Sequence, residues 1–237
     1  PPALAARYGD LPRWRQNYWG RAVRRAESAD FVAWTPDEGE LCLAPDLEDG
    51  PYGEVYGMRV FPYEGLFVGM PQIFDNSPDD ARLEIQLAVS RDGRRFERLS
   101  DRRPFIPVGQ VGEWDRFNNG NVQGEPVRVG DELRFYYGGR NARHAGAYAG
   151  TDTGTGILEC VAGVGLGTIM LDRFAAMEAT FSGGTLRTRP LSWQGANLHV
   201  NAAVRFGRLE ASDEEVIQAA QHIAKYAGII VLDHFNP

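Results

Sequence analysis

Three acidic side chains stand beside predicted strands, where they could take part in proton transfer. Glu54 precedes a predicted strand over residues 56–61, Glu125 precedes a strand that begins at Pro126, and Asp115 begins the loop that leads to Glu125. Carboxyl groups are common general acids and bases, and a neighbouring pair can supply both roles in one reaction. Each could also be a solvated loop carboxylate, so position alone leaves the choice open.

Side chains suited to binding polar ligands lie in the same part of the chain. Amide groups donate and accept hydrogen bonds at once, which suits sugar hydroxyls, and aromatic rings can stack on a sugar ring. The candidate binding residues are Asn118, Asn119, Asn121, Trp114, Tyr56, Arg140 and His144. The amides could equally form turns, the rings could pack between sheets, and the histidine could be an ordinary loop residue.

These candidates are distributed over an internal repeat with an offset of about 62 residues. Residues 28–34 match residues 90–96 at a serine, an aspartate and the final aromatic, and residues 43–45 fall on residues 105–107 in the same register. The serine and aspartate side chains can bond to backbone N–H groups of a tight turn. We therefore predict structural roles for Asp30 and Asp92, with the aromatic that follows each turn packed between sheets.

The strands within each unit predict the fold class. Residues 83–89 alternate between apolar and polar side chains, which is typical of a half-buried strand, and residues 20–26 do so roughly. Four strands in about 60 residues, repeated, describe a propeller blade. Only about two and a half such units fit before residue 145, whereas a propeller closes with four or more. The chain is therefore expected to lack early blades, or to close with a second copy as a homo-oligomer.

The later part of the chain has a different character. A glycine-rich stretch over 146–156 is predicted to be a linker, and the turn-separated strands over 157–210 a small β-sandwich. A capping box that begins at Ser212, followed by apolar residues at helical spacing, predicts a C-terminal helix and tail over 211–237. The predicted fold is therefore all-β: a partial β-propeller over 1–145, then the sandwich and the helix.

Composition excludes several classes of function. The net charge of −7 argues against nucleic acid as a partner, and no apolar run is long enough for a membrane span. Gly163, Gly165 and Gly167 resemble a dinucleotide fingerprint only superficially, because a strand continues after them. We predict no cofactor.

The two cysteines, Cys42 and Cys160, lack metal-ligand spacing and have apolar neighbours. They predict no metal site and favour buried free thiols. Free thiols favour a cytoplasmic location, although secretion stays open.

Six stretches of the sequence carry a resemblance to a known group of enzymes. Residues 54–65, 26–34, 87–93 and 130–139 resemble glycosidases of the five-bladed β-propeller superfamily, which includes glycoside hydrolase families 43 and 32. Residues 167–174, with 183–186, resemble the β-domain often appended to them. The resemblance covers roughly residues 20–205, and it implies a carbohydrate as substrate or ligand.

The resemblance also implies roles for the three carboxylates. Enzymes of that superfamily place acidic residues on the innermost strands of successive blades, where they point into a common well. Carried over to this sequence, Glu125 is expected to be the general acid, with Glu54 or Asp115 as the carboxylate that tunes it. An alternative is a non-catalytic glycan-binding or structural propeller fragment. A six-bladed sialidase ranks last, because its aromatic spacing differs and its arginine triad is not recognisable.

Overall fold

The computed structural model describes residues 2–11, 20–77, 81–99, 101–120, 124–144, 159–180, 182–186, 202–204 and 232–234. Its helical elements are α1 (Pro2–Tyr8) and a short 3-10 helix (Leu47–Asp49). Its strands are β1 (Ala26–Glu27), β2 (Thr35–Pro36), β3 (Gly53–Tyr63), β4 (Leu66–Asp75), β5 (Leu83–Ile85), β6 (Ala88–Ser90), β7 (Glu97–Arg98), β8 (Asn118–Gly120), β9 (Val127–Val129), β10 (Glu132–Arg140), β11 (Ala162–Met170), β12 (Met177–Ala179), β13 (Ala202–Val204) and β14 (Leu232–His234). The predicted all-β class is confirmed.

The chain divides into two compact units. The first comprises Pro1–Val129 with Arg134–Thr168, and the second comprises Gly130–Leu133 with Ile169–Pro237. The main sheet has the strand order β11-β10-β8-β5-β4-β6-β7, with β3 paired to β4 and β9 paired to β10. All three sheets that the structure describes are open, as expected for the partial, propeller-like fold predicted from the repeat.

A long hairpin of β3 and β4 belongs to the main sheet, in which β4 pairs with β3, β5 and β6. Glu64 and Gly65 connect the two strands, and both have positive φ angles, of 43° and 77°. Consecutive left-handed residues suit a two-residue hairpin, because they match the twist of the strands. Glu64 therefore has a structural role in this turn. A shift of register between Val55 and Gly57 marks a β-bulge at Tyr56, and bulges re-aim side chains.

The single strand predicted over residues 83–89 is two strands in the structure. Both β5 and β6 pair with β4 in one continuous register, Gln72 with Ile85 and Gly69 with Ala88. Pro71 lies between these pairs, and its carbonyl accepts a hydrogen bond from Gln86 N at 3.0 Å. Proline has no N–H to return, so the ladder is interrupted there.

The strand predicted over residues 20–26 is also shorter in the structure. Only an isolated bridge between Val23 and Leu43 and the short strand β1 form within it. The rough alternation there reflects partial pairing.

The two Ser-x-Asp turns adopt the same hydrogen-bond pattern. In the first, Asp30 Oδ1 accepts from Ser28 Oγ and from two backbone N–H groups further along. In the second, Asp92 Oδ1 accepts from Ser90 Oγ and from the two corresponding N–H groups. These backbone hydrogen bonds are the main reason that the pKa of each aspartate is lowered. The structural role predicted for both aspartates agrees with this pattern.

The aromatics that follow these turns differ in burial. Phe96 is buried with Cys42, Leu43 and Ala88, as predicted for a residue packed between sheets. Trp34 is 53% exposed and contacts Phe31 edge-on, which differs from that prediction. Among the described residues, Phe96 is therefore packed in a core cluster, whereas Trp34 is largely exposed.

The later glycines lie inside a strand, which agrees with the prediction that they form no dinucleotide fingerprint. Gly163, Gly165 and Gly167 are all in β11. Elsewhere in the later part, the second unit contains a three-stranded parallel sheet in the order β12-β14-β13. Its central strand β14 comes from the C-terminal tail, for which no strand was predicted. The predicted linker and the predicted helix lie outside the described residues.

No described helix has both the length and the apolar character that a membrane span requires.

Candidate functional site

The register of the main sheet brings one residue from each of five strands into a line. The paired residues are Glu54 with Phe74, Phe74 with Leu83, Leu83 with Asn118, and Asn118 with Arg140. Residues that pair directly on neighbouring strands lie side by side. The line therefore joins a carboxylate, an aromatic ring, an amide and a guanidinium that are far apart in the sequence.

A chain of hydrogen bonds extends from this line through His144. The Asn118 amide, oriented by its donors, accepts from Arg140 Nη2 at 2.9 Å and from Nε at 3.2 Å. Arg140 Nη2 also lies 3.1 Å from His144 Nδ1, and His144 Nε2 lies 3.2 Å from the Tyr56 hydroxyl. A guanidinium only donates, so Nδ1 must be the acceptor. The neutral imidazole therefore carries its proton on Nε2 and donates it to Tyr56.

The surroundings of His144 keep it neutral. Its ring contacts Tyr56 and Phe74 edge-on, with centroids 5.0 and 5.1 Å away. Burial lowers the pKa of His144 below its ordinary value of 6.5, and the positive charges of Arg140 and Arg21 lower it further. At neutral pH the imidazole is thus uncharged, which agrees with the tautomer that the hydrogen bonds require.

Glu54 forms the other end of the line and is almost completely buried. Its Oε1 accepts from Asn76 Nδ2 at 2.9 Å, and its Oε2 accepts from the Arg21 backbone N–H at 3.2 Å. The Arg21 side chain lies 3.5 Å from the same oxygen, with its guanidinium 4.8 Å from the centre of the Tyr56 ring. The structure places Glu54 inside β3, rather than before the strand as predicted. Its present partners are all protein groups.

A second cluster surrounds Asp115, which is also buried. Tyr137 Oη donates to Asp115 Oδ2 at 2.8 Å, and the Tyr137 ring stacks on Trp114 with centroids 6.0 Å apart. Burial is the largest cause that raises the pKa of Tyr137 to about 12, and the hydrogen bond to Asp115 is the next. A β-carbon at Gly139 would lie within 3.0 Å of Asp115 and Trp114, so glycine permits this close packing. Trp114 is therefore committed to contacts within the sheet.

Asn119 follows Asn118, which belongs to the line of paired residues, and it pairs with Gly139 beside the second cluster. Successive side chains on a strand point to opposite faces, so Asn119 and Asn118 project to different sides of β8. Asn119 is fully buried and donates to the Pro107 carbonyl at 2.7 Å, which fixes the preceding loop. Its Oδ1 has no hydrogen-bond partner within the part of the chain that the structure describes.

Of the two remaining predicted site residues, the structure describes one. Glu125 is exposed, in the segment between β8 and β9. Asn121 lies outside the described residues. The structure thus joins Glu54, Tyr56, Asn118, Arg140 and His144 in one network and Trp114, Asp115 and Asn119 in another.

Sequence reasoning missed four residues that complete these networks. They are Arg21, Phe74, Asn76 and Tyr137. Tyr137 lies two residues after the apolar Phe135, so the strand period places both on one face of β10, and this spacing could have marked Tyr137 as partly buried. Arg21, Phe74 and Asn76 carry no local signal, because their roles depend on the register of β3 and β4.

The cysteines take no part in either network. Cys42 is a buried free thiol, and burial raises its pKa, whereas Cys160 is half-buried. Among the residues that the structure describes, no three His, Cys, Asp or Glu side chains form a group that could hold a metal ion.

The sheets that the structure describes form an open, all-β, propeller-like fold. No protein-family model matches the sequence. A search of curated proteins gives no match either.

Solved structures give partial similarities. An N-acetylgalactosamine deacetylase from F. plautii, in complex with blood group B trisaccharide, is 18% identical, with a TM-score of 0.43 over 65% of this chain and 42% of that one. A family 117 glycoside hydrolase from the marine bacterium Zobellia galactanivorans is 16% identical, with a TM-score of 0.46 over 62% of this chain and 38% of that one. The chain therefore spans less than half of either structure. Similarity at this level assigns no family to it.

Proposed function

We propose that this chain is a carbohydrate-active protein of the glycoside hydrolase kind, which binds a saccharide at the Tyr56–His144–Arg140 network. The observation that carries the proposal is the line across five strands, which brings hydrogen-bonding groups and aromatic rings to one place. A saccharide presents hydroxyl groups that need both donors and acceptors. Arg140 supplies guanidinium N–H donors, and Tyr56, which is 39% exposed, adds an accessible ring and a hydroxyl that can donate or accept.

The proposed chemistry assigns proton donation to Glu125. This side chain is exposed, so it can exchange protons with solvent. Glu54 or Asp115 would provide the second carboxylate of the pair that glycoside cleavage needs. The resemblance of residues 54–65 and 130–139 to propeller glycosidases supports the same class of reaction.

Glycan binding without turnover is the second candidate. The burial of Glu54 and Asp115, and their hydrogen bonds to protein groups, favour this candidate. Glu54 is 1% exposed and Asp115 is 7% exposed, and each already accepts hydrogen bonds from protein groups. A carboxylate held in this way orients its neighbours and is poorly placed to attack a substrate.

Turnover of a panel of aryl-glycosides separates the two candidates. The wild-type chain is expected to hydrolyse at least one member, and Glu125→Gln is expected to lower kcat about a hundredfold, because general acid catalysis contributes at least that factor. Glu97→Gln, which changes an exposed glutamate on β7, is the matched control and should leave kcat unchanged.

The outcomes of this assay discriminate clearly. Saccharide binding without hydrolysis of any glycoside would establish the second candidate. Hydrolysis that survives Glu125→Gln would remove Glu125 from the mechanism. Absence of both turnover and binding across the panel would refute the carbohydrate proposal itself.

A further inference from the structure

The Tyr56–His144–Arg140 network carries more hydrogen-bond donors than acceptors toward a ligand. Both N–H groups of Arg140 Nη2, and the one on Nε, are used by Asn118 and His144. The two N–H groups on Nη1 have no acceptor among the described residues. The Tyr56 hydroxyl accepts from His144, so its own O–H remains to donate, and no acceptor for it is described either.

The network also carries an unbalanced positive charge. Arg21 is paired with Glu54 at 3.5 Å, so these two charges offset one another. The described hydrogen-bond partners of Arg140 are an amide and an imidazole, both neutral, and no described carboxylate lies within salt-bridge distance of it. Arg140 is half-buried, so water screens its charge less than that of an exposed arginine.

We infer that the preferred ligand is an acidic saccharide, a hexuronate whose carboxylate accepts from Arg140 Nη1 and from the Tyr56 hydroxyl. A carboxylate is acceptor-only and negatively charged, so it satisfies the free donors and the charge together. A neutral sugar hydroxyl could accept from the same groups, but it would leave the charge of Arg140 unpaired. This inference rests on the proposed function, since it names the class of saccharide that the same site takes.

Arg140 also acts as a positioning residue for Tyr56. Because Arg140 donates to His144 Nδ1, the imidazole proton is fixed on Nε2, and the Tyr56 oxygen is thereby occupied as an acceptor. The hydroxyl then keeps its own proton to donate to the ligand. Loss of Arg140 would remove both a direct contact to the carboxylate and the constraint on the direction of the Tyr56 hydrogen bond.

The test is an NMR titration of the wild-type chain with matched pairs of sugars. Glucuronate is compared with glucose and galacturonate with galactose, so that only the carboxylate differs within each pair. We expect at least one uronate to bind about tenfold more tightly than its neutral partner, as charge-assisted hydrogen bonds provide. The preference should shrink when the salt concentration is raised to about 0.5 M, because salt screens the charge.

Variants test whether the preference for a uronate depends on Arg140. Arg140→Gln should reduce the preference for the uronate over its neutral partner to less than about twofold. Arg140→Lys keeps the charge but not the guanidinium fork, so a reduced preference should remain. Arg91→Gln, at an exposed position in the second Ser-x-Asp turn, is the control and should retain the full preference.

The two proposals fail in different ways. Equal binding of uronate and neutral sugar by the wild-type chain would overturn the acidic preference and leave the proposed function intact. A preference that survives in Arg140→Gln would also overturn it. If neither sugar of any pair binds, the proposed function falls, and acetate titrated alone shows whether the network binds a carboxylate without a sugar ring.

Discussion

Replacing Asp49 by alanine is expected to lower the free energy of unfolding by about 3 kcal/mol, the low end of the range for breaking a buried ion pair. Asp49 and Arg98 are joined by two hydrogen bonds of 2.5 and 2.6 Å, and their side chains are only 5% and 3% exposed. Without Asp49, the Arg98 guanidinium would remain buried. Asp46, 3.6 Å from Arg98, offsets part of the loss. Chemical denaturation followed by circular dichroism measures the change.

Glu48→Ala is the control for this prediction, because Glu48 neighbours Asp49 in the same 3-10 helix. Glu48 pairs with Arg7 on the surface, and its side chain is 61% exposed. Exposed ion pairs contribute little to stability, so the denaturation midpoint should hardly move. A loss below about 1 kcal/mol in Asp49→Ala would contradict the view that this pair ties the segment before β3 to β7.

Gly165→Ala is expected to lower the free energy of unfolding by about 1–3 kcal/mol, the usual cost of overpacking. A β-carbon at residue 165 would lie 2.5 Å from Tyr137 Cε1 and 2.6 Å from its hydroxyl. The ring cannot yield easily, because its hydroxyl is bonded to Asp115 and its face stacks on Trp114. The same denaturation experiment detects the loss, and near-ultraviolet circular dichroism should report the displaced rings.

Gly167→Ala provides a matched control two residues along the same strand. A β-carbon there would meet Ile106 Cδ1 only at 3.9 Å, which is an ordinary contact. A glycine that accepts a side chain without strain usually gains about 0.4–1 kcal/mol on replacement by alanine, because the unfolded chain loses freedom. Equal effects of Gly165→Ala and Gly167→Ala would show that Tyr137 does not require the glycine.

Local signals in the sequence predicted local structure well. The Ser-x-Asp turns follow from side chains that bond to backbone groups two and three residues away, so the repeat alone identified them. The strand predicted over residues 56–61 lies within β3. The break at Pro71 was not foreseen, because it lies on the partner strand β4 rather than in the alternating segment itself.

Much of the candidate site could not be derived in this way. Tyr56 and His144 are 88 residues apart in the sequence, and their contact depends on the register of neighbouring strands. The burial of Asp115 depends likewise on Tyr137, 22 residues later, and on the absence of a side chain at Gly139. The residue types of the site were identifiable from the sequence, whereas their grouping into two separate networks required the sheet.

The most direct measurement of the central claim is the NMR response of the aromatic side chains to a saccharide. Adding an oligosaccharide that contains a hexuronate should shift the ring signals of Tyr56 and His144, since both rings belong to the proposed site. Trp34, which is 53% exposed in the first Ser-x-Asp segment, is the internal reference and should stay unchanged. Shifts at Trp34 without shifts at Tyr56 and His144 would contradict the account.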